Sequence, residues 1–427
     1  MIKTYGLVLG LVLGAASMAA GEEGSLAIRC GALIDGKSDT VRKNVTLVIR
    51  GEHIVSMHDG ADASVPAAAQ TVDLSAETCL PGLIDTHTHV LLQGDITADD
   101  YDKQLLKQSQ AYRTILGTQS ARKALSYGFT TIRDLETEGA GYADVDIKRA
   151  IVDGVVPGPR MVVVTRALDV TGAYPLQGYA PEVSVPHGVQ IVDGPYAARQ
   201  AVREQLSYGA DWIKVYSDRS YVLRDDGVLD DIPTFTLEEL AAIVDEAHRQ
   251  RHKVASHAIA LHGVHNSVEA GVDSIEHGDY IADEDMRAMI RKGIWYVPTL
   301  YVGEYVAQGR GGYWPAMVKV HEETFRKALK MGVKIAFGTD VGGFDWNINP
   351  AIEFGIMTRL GMTPMQAIRS ATARAAELLD MQKDLGTLEP GKLADIVAVP
   401  GDPLKDVGVL SKVDFVMKGG SVFRSSK

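Results

Sequence analysis

The sequence predicts an α/β protein, a (β/α)₈ TIM barrel that carries a small β-sandwich domain built from both chain ends. Three observations predict it. Eight apolar, strand-like runs recur through the middle of the 427-residue chain, and helical patterns separate most of them. The two ends instead read as short β-rich runs broken by glycines. No Gly-rich phosphate fingerprint follows the first of the eight runs, which disfavours an open dinucleotide-binding sheet.

Residues 1–20 read as a secretory signal peptide. Lys3 gives a positive start, 5–16 is an apolar run, and Ser17-Met18-Ala19-Ala20 offers small residues for cleavage. The run is short for a bilayer span and is followed by Glu22 and Glu23. The expectation is a periplasmic or secreted protein with no membrane association after cleavage. Residues 21–80 hold the β-rich runs 26–30, 45–49 and 53–57, broken by Gly36, Gly51 and Gly60. Residues 385–427 look alike, with runs at 394–399 and 413–417 beside turns at Gly401-Asp402-Pro403 and Gly419-Gly420. These two stretches are assigned to one composite sandwich. Residues 81–384 are assigned to the barrel, with strands expected over 82–90, 129–135, 160–168, 212–217, 254–259, 273–278, 295–300 and 334–340. Thr236 and Glu239 form a capping box ahead of the apolar face Leu240, Ile243, Val244 and Ala247.

Composition narrows the function. Hydrophobic residues at 46% and charged residues at 23% exclude a disordered chain. A net charge of −12 without any basic stripe argues against nucleic acid as a partner. Cys30 and Cys79 are too few for a disulfide scaffold or a four-cysteine zinc site. A single bridge between them is possible, and two unpaired, buried thiols are the expectation.

In such barrels the chemistry sits at the C-terminal ends of the strands. The polar groups expected there are His87 and His89 (first strand), Lys214 (fourth), His257 (fifth), His277 (sixth) and Asp340 (eighth). His87 and His89 are two apart, so a strand turns both to one face, as a Zn²⁺-type ion with nitrogen ligands requires. His257 and His277, on neighbouring strands, can make a second nitrogen-rich site. Lys214 lies in an apolar strand, where an ammonium is costly. It either snorkels or pairs with a carboxylate, or reacts with CO₂ to give a carbamate able to bridge two cations. Asp340 can bind one metal and receive a proton from a bound water. Two ions about 3.5–4 Å apart generate hydroxide near neutral pH, and the set describes hydrolysis of an amide or ester.

These residues sit in long, specific motifs. The stretch 79–89, ending Asp85-Thr86-His87-Thr88-His89, and the stretch 385–397 resemble the entry strand and the return segment of the metal-dependent amidohydrolase superfamily. The resemblance covers essentially the whole mature length and is greatest to an Xaa-Pro dipeptidase-like and carboxypeptidase-like group that includes ochratoxin amidohydrolases. It implies two divalent ions, with Zn²⁺ the expected metal. One would be held by His87, His89 and Asp340 and the other by His257 and His277, with carbamylated Lys214 and a hydroxide bridging them. It implies hydrolysis of dipeptides or N-acyl amino acids by attack of that hydroxide, with Asp340 as the catalytic proton shuttle. The alternative chemistry on the same site is that of a lactone, cyclic amide or phosphotriester.

Tyr221 and Arg219, just after the fourth strand, are candidates to bind a substrate carboxylate. Related sequences often carry a Gly-Gly-His turn after the third strand. Here the stretch reads Thr171-Gly172-Ala173-Tyr174-Pro175, so the histidine that polarises the substrate carbonyl is missing or replaced by Tyr174. Residues 303–315, with Tyr305, Tyr313 and Trp314, are expected to be a loop, serving either as an aromatic substrate wall or as a packing or subunit contact. His248, His252, His265 and His321 fall on helical stretches and are expected to be exposed; His262 is a weaker candidate for the pocket. The expected partners are a small-molecule or dipeptide substrate and further copies of this chain as a homo-oligomer.

Overall fold

The computed structural model describes residues 25–60, 70–174, 176 and 178–425. The signal peptide expected over 1–20 lies outside the described residues. The chain opens with four strands, β1 (Leu26–Leu33), β2 (Arg42–Arg50), β3 (His53–Asp59) and β4 (Gln70–Pro81). β5 (Leu83–Thr88), β6 (Phe129–Asp134) and β7 (Arg160–Val163) pair in parallel as a three-stranded sheet. Six of the next strands are β8 (Leu168–Asp169), β9 (Gln190–Ile191), β10 (Trp212–Tyr216), β11 (Asp218–Leu223), β12 (Leu229–Pro233) and β13 (Lys253–Ala258). β14 (Ser274–His277), β15 (Trp295–Val297) and β16 (Lys334–Ile335) follow. A parallel seven-stranded sheet runs β16-β15-β14-β13-β10-β8-β9, and β11 and β12 form a separate hairpin. Strands such as β10 and β14 are buried along their whole length, as parallel strands covered on both faces must be.

The two parallel sheets are joined at both sides. Thr86 N–H donates to Phe337 O (3.0 Å) and Asp340 N–H to His87 O (2.7 Å), linking β5 to the segment after β16. Asp211 N–H donates to Val163 O (2.7 Å), linking β7 to the start of β10. Helices pack between the strands. The helix Leu237–Arg249 begins with the capping box read from the sequence, Thr236 Oγ1 accepting from Glu239 N–H. Three expected strands are broken or cut to half or less of the apolar runs that predict them. The third divides at Thr165, whose φ of 66° breaks the extended backbone. The seventh ends before Thr299 (φ 49°), and the eighth keeps only two residues because 336–340 leave the ladder to close against β5.

The chain ends with β17 (Ile396–Pro400), β18 (Phe415–Lys418) and β19 (Ser421–Ser425). They complete a seven-stranded sheet ordered β19-β18-β17-β4-β1-β2-β3, in which β17 lies antiparallel to β4. Leu47 of β2 and Phe415 of β18, from opposite halves of this sheet, share one apolar cluster. Cys30 and Cys79 also belong to that cluster and form a disulfide, with Cα atoms 5.8 Å apart. This corrects the expectation of two free thiols. The cause is a register shift: Cys30 pairs with Leu74, but Ala32 pairs with Thr78, so Cys79 slides up toward Cys30. Gly31 permits the shift, since a Cβ there would meet Ser75 O at 2.0 Å. Counting cysteines cannot reveal a bulge.

Candidate metal centre

The site lies where β5, β10, β13 and β14 end and where the chain turns after β16. β5 delivers His87 at its end and His89 just beyond, both buried, with their Nε2 atoms 3.3 Å apart. Asp340 meets both: its Oδ1 lies 3.1 Å from His89 Nε2 and 3.5 Å from His87 Nε2. Asp340 and His277 sit at left-handed φ angles of 61° and 70°, where the backbone turns out of its strand direction. Asp85, also on β5, accepts from His87 N–H, Thr339 N–H and Thr339 Oγ1, and so ties His87 to the segment that carries Asp340. Burial pushes the Asp85 carboxyl up to about 7.

The parallel register sets the rest. Lys214 of β10 pairs with small Ala255, and Tyr216 pairs with His257. His257 in turn pairs with Glu276, and Ala258 pairs with His277. Ring centroids are 4.9 Å apart for His87 and His277, 4.6 Å for His257 and His277, and 4.6 Å for Tyr216 and His257. Lys214 is 1% exposed, its Nζ 5.5 Å from the Tyr216 ring centre, and among the described residues it makes no ion pair or side-chain hydrogen bond. All six predicted residues therefore line one cavity of about 290 Å³.

Electrostatics follow from burial. Desolvation, helped by Lys214, holds the His87 and His257 imidazoles well below their ordinary range. His277 is lowered in the same way by desolvation and then by His257. Burial also opposes charge on His89, but its hydrogen bond to Asp340 raises it to about 9. Burial lowers the Lys214 ammonium, and the Asp340 carboxyl is held down by His87 and His89 against its own desolvation.

The donor set fits divalent cations. His87, His277 and Asp340 each offer a ligand atom within 4.8 Å of the others. His89 Nδ1 is buried without a hydrogen-bond partner. Four imidazoles, one carboxylate and a buried lysine around one space are the ligand types of a Zn²⁺-class site. His87, His89 and Asp340 approach most closely, at 3.1–3.5 Å, and His277 also lies within 4.8 Å of His87 and Asp340.

The three candidate substrate residues also line the cavity. Tyr221 OH is 3.2 Å from His257 Nε2 and donates to Asp218 Oδ1 at 3.0 Å. Arg219 is exposed and donates to Gly172 O (3.3 Å). Tyr174 stacks 4.7 Å from Tyr216, with its OH 3.4 Å from Glu138 Oε2. Residues 303–315, expected to be a loop, are largely helical, split between the helices Leu300–Arg310 and Trp314–Met331. Tyr313 and Trp314 face the cavity, whereas Tyr305 packs on Phe344 and Tyr301. His321, expected to be exposed, is 3% exposed and lines the cavity, 3.1 Å from Tyr296 OH and 3.4 Å from Asp279. His262 pairs with Asp230 at 3.2 Å, away from the cavity.

Sequence reading missed the layer behind the candidate ligands. Glu276 contacts His87 Nδ1 at 2.9 Å, and Arg133 donates to Glu276 at 2.7 Å; both are wholly buried. Glu136 and Glu138, with Tyr216 and Tyr101 donating to them, form a second buried acidic wall. The available signal was a charge inside an apolar strand, one residue before a candidate histidine in the case of Glu276.

The amidohydrolase family model matches residues 78–423. The ochratoxinase of Aspergillus niger is 32% identical over 433 residues, covering 93% of this chain and 86% of that protein. Among solved structures, a Xaa-Pro dipeptidase with methionine bound in its active site has a TM-score of 0.85 and 36% identity, covering 94% of this chain and 100% of that one. A prolidase complexed with N-methylphosphonate-L-proline has a TM-score of 0.82 and 28% identity, also covering 94% and 100%.

Proposed function

The chain belongs to the amidohydrolase family, is a hydrolase of amide bonds, and on that premise we propose that it is a binuclear metal-dependent enzyme cleaving dipeptides or N-acyl amino acids. His87, His89 and Asp340 would hold one ion, His257 and His277 the other, and carbamylated Lys214 would bridge them. Bound divalent ions, Zn²⁺ first among them, would supply Lewis acidity that acidifies water and polarises a carbonyl. The observation that carries the reading is the buried Lys214, which among the described residues makes no ion pair and lines one cavity with four histidines and an aspartate.

The protein groups then have separable tasks. Asp340 takes the proton of the attacking water and returns it to the leaving nitrogen. Tyr221 and Arg219, at the wall beside His257, bind the free carboxylate of the departing amino acid. Tyr174, packed against Tyr216 in the same cavity, would face the carbonyl oxygen. Relatives that act on Xaa-Pro dipeptides or bind a proline phosphonate support this choice of substrate class.

The same reading treats the two parallel sheets as one closed eight-stranded barrel over 81–384, and 21–80 with 385–427 as the sandwich. The hydrogen bonds across both sheet edges support it. The Cys30–Cys79 bridge supports export after loss of residues 1–20, because disulfides persist in oxidising compartments. A homo-oligomer is expected, and light scattering of the purified protein tests it.

A panel of dipeptides and N-acyl amino acids, each beside its C-terminal amide, with added Zn²⁺, Mn²⁺ or Co²⁺, tests the function. Turnover of the acids and not the amides is expected. Equal turnover of both would remove the carboxylate role and favour a lactone, cyclic amide or phosphotriester.

A further inference from the structure

Behind His87 lies a closed ring of contacts that no ligand assignment uses. Arg133, on β6, donates its Nε–H to Thr86 O at 2.6 Å and a terminal N–H to Glu276 Oε1 at 2.7 Å. Its remaining terminal nitrogen reaches Ser274 Oγ at 3.2 Å, and its carbon lies 4.6 Å from the centre of the Trp212 ring. Glu276, on β14, turns its other oxygen to His87 Nδ1 at 2.9 Å. The Thr86–His87 peptide bond closes the ring. Arg133 and Glu276 are both 0% exposed, so water cannot substitute for any member.

From this geometry we infer that Glu276, held by Arg133, is the positioning residue that sets the tautomer and orientation of His87. The inference rests on the metal reading of the preceding subsection. A carboxylate paired with a guanidinium only accepts, so Nδ1 of His87 must carry the proton. The bare Nε2 lone pair is then the atom aimed at Asp340 Oδ1 and His89 Nε2. Metal-binding histidines depend on such a carboxylate, because it fixes the ring and raises its basicity. The guanidinium is required as a fork. One planar group holds the backbone carbonyl just before His87 and the carboxylate behind its ring, and a lysine ammonium cannot span both.

Two measurements test this. In the metal-free, unmodified protein with ¹⁵N-labelled histidine, long-range ¹⁵N correlation spectra should show His87 protonated on Nδ1, with the signal identified by its loss in His87→Gln. Protonation on Nε2 would overturn the inference and needs no variant of the ring to fold. In the second, Zn²⁺ affinity is measured at pH 7 by competition with a chromophoric chelator. Glu276→Gln and Arg133→Lys should each bind Zn²⁺ roughly 10–100-fold more weakly than the unmodified chain. Affinity within twofold of the unmodified chain in folded Glu276→Gln would also overturn it. If the unmodified chain itself bound no Zn²⁺, the metal reading would fall instead, and the tautomer result would show whether the ring still orients His87.

Discussion

Removing the Cys30–Cys79 bridge should weaken the fold and spare the site. The bridged residues are 49 positions apart, and both side chains are buried. On the chain-entropy account, closing a loop of that length removes about 14 cal/mol/K from the unfolded ensemble, or about 4 kcal/mol at 25 °C. Unfolding entropy of about 2.1 cal/mol/K per residue gives about 0.9 kcal/mol/K for 427 residues unfolding as one unit. The double variant Cys30→Ala/Cys79→Ala should therefore lose about 5 °C in Tm. The assay is a thermal melt followed by circular dichroism, beside hydrolysis rates at 25 °C for both proteins. The bridge joins β1 to β4, and none of the six candidate ligands that line the cavity lies on those strands, so kcat should be unchanged. A Tm within 1 °C of the parent would refute the constraint argument. A large fall in kcat at full stability would refute the separation of sheet from site.

Dialysis against a chelator should abolish hydrolysis and added Zn²⁺ should restore it, while Lys214→Met, which keeps an apolar stem in the strand, should stay inactive with metal present. Its loss should exceed the roughly 10–100-fold typical of residues outside the ligand set. Gly338→Ala should cost about 1–3 kcal/mol in urea unfolding and lower Zn²⁺ affinity. Its new Cβ would meet Val297 Cγ1 at 2.4 Å and His87 Cβ at 2.9 Å. Glu246 is held down to about 2 by its hydrogen bond from Arg203, which links the helices Pro195–Ser207 and Leu237–Arg249. Its ordinary value is 4.5, so its stabilising contribution is complete above that pH and fades as pH falls toward 2. Glu246→Gln should flatten acid unfolding in that window, and an unchanged acid-unfolding profile would contradict it.

The candidate ligands that line the cavity were legible because two regularities act together. A strand alternates its faces, which pairs His87 with His89, and the strand ends gather at one side of the parallel sheets, which brings Lys214, His257, His277 and Asp340 to them. What escaped depends on contacts between distant segments. Arg133 and Glu276 are 143 residues apart, and nothing in either strand alone shows that they meet. Residues 303–310 of the helix Leu300–Arg310 fall in a stretch expected to be loop, which Gly303, Gly309 and Gly311 punctuate, and Thr299 makes no side-chain cap at its start. Its first N–H groups are instead satisfied by Glu353, which accepts from Leu300 N–H and Tyr301 N–H. His321 looked exposed because helical period alone does not tell which face a neighbouring element covers. Here Tyr296 and Asp279 cover it.

The position of β17 beside β4 has a consequence for biosynthesis. β4 is flanked by β1 on one edge and by β17 on the other. Made from the N-terminus onward, the polypeptide presents the second edge of β4 as bare N–H and C=O groups until Ile396–Pro400 leave the ribosome. Such an edge recruits any strand at hand. A nascent or prematurely terminated chain is thus most exposed to mispairing at β4, and the last strands of the protein act as the plug that ends the hazard.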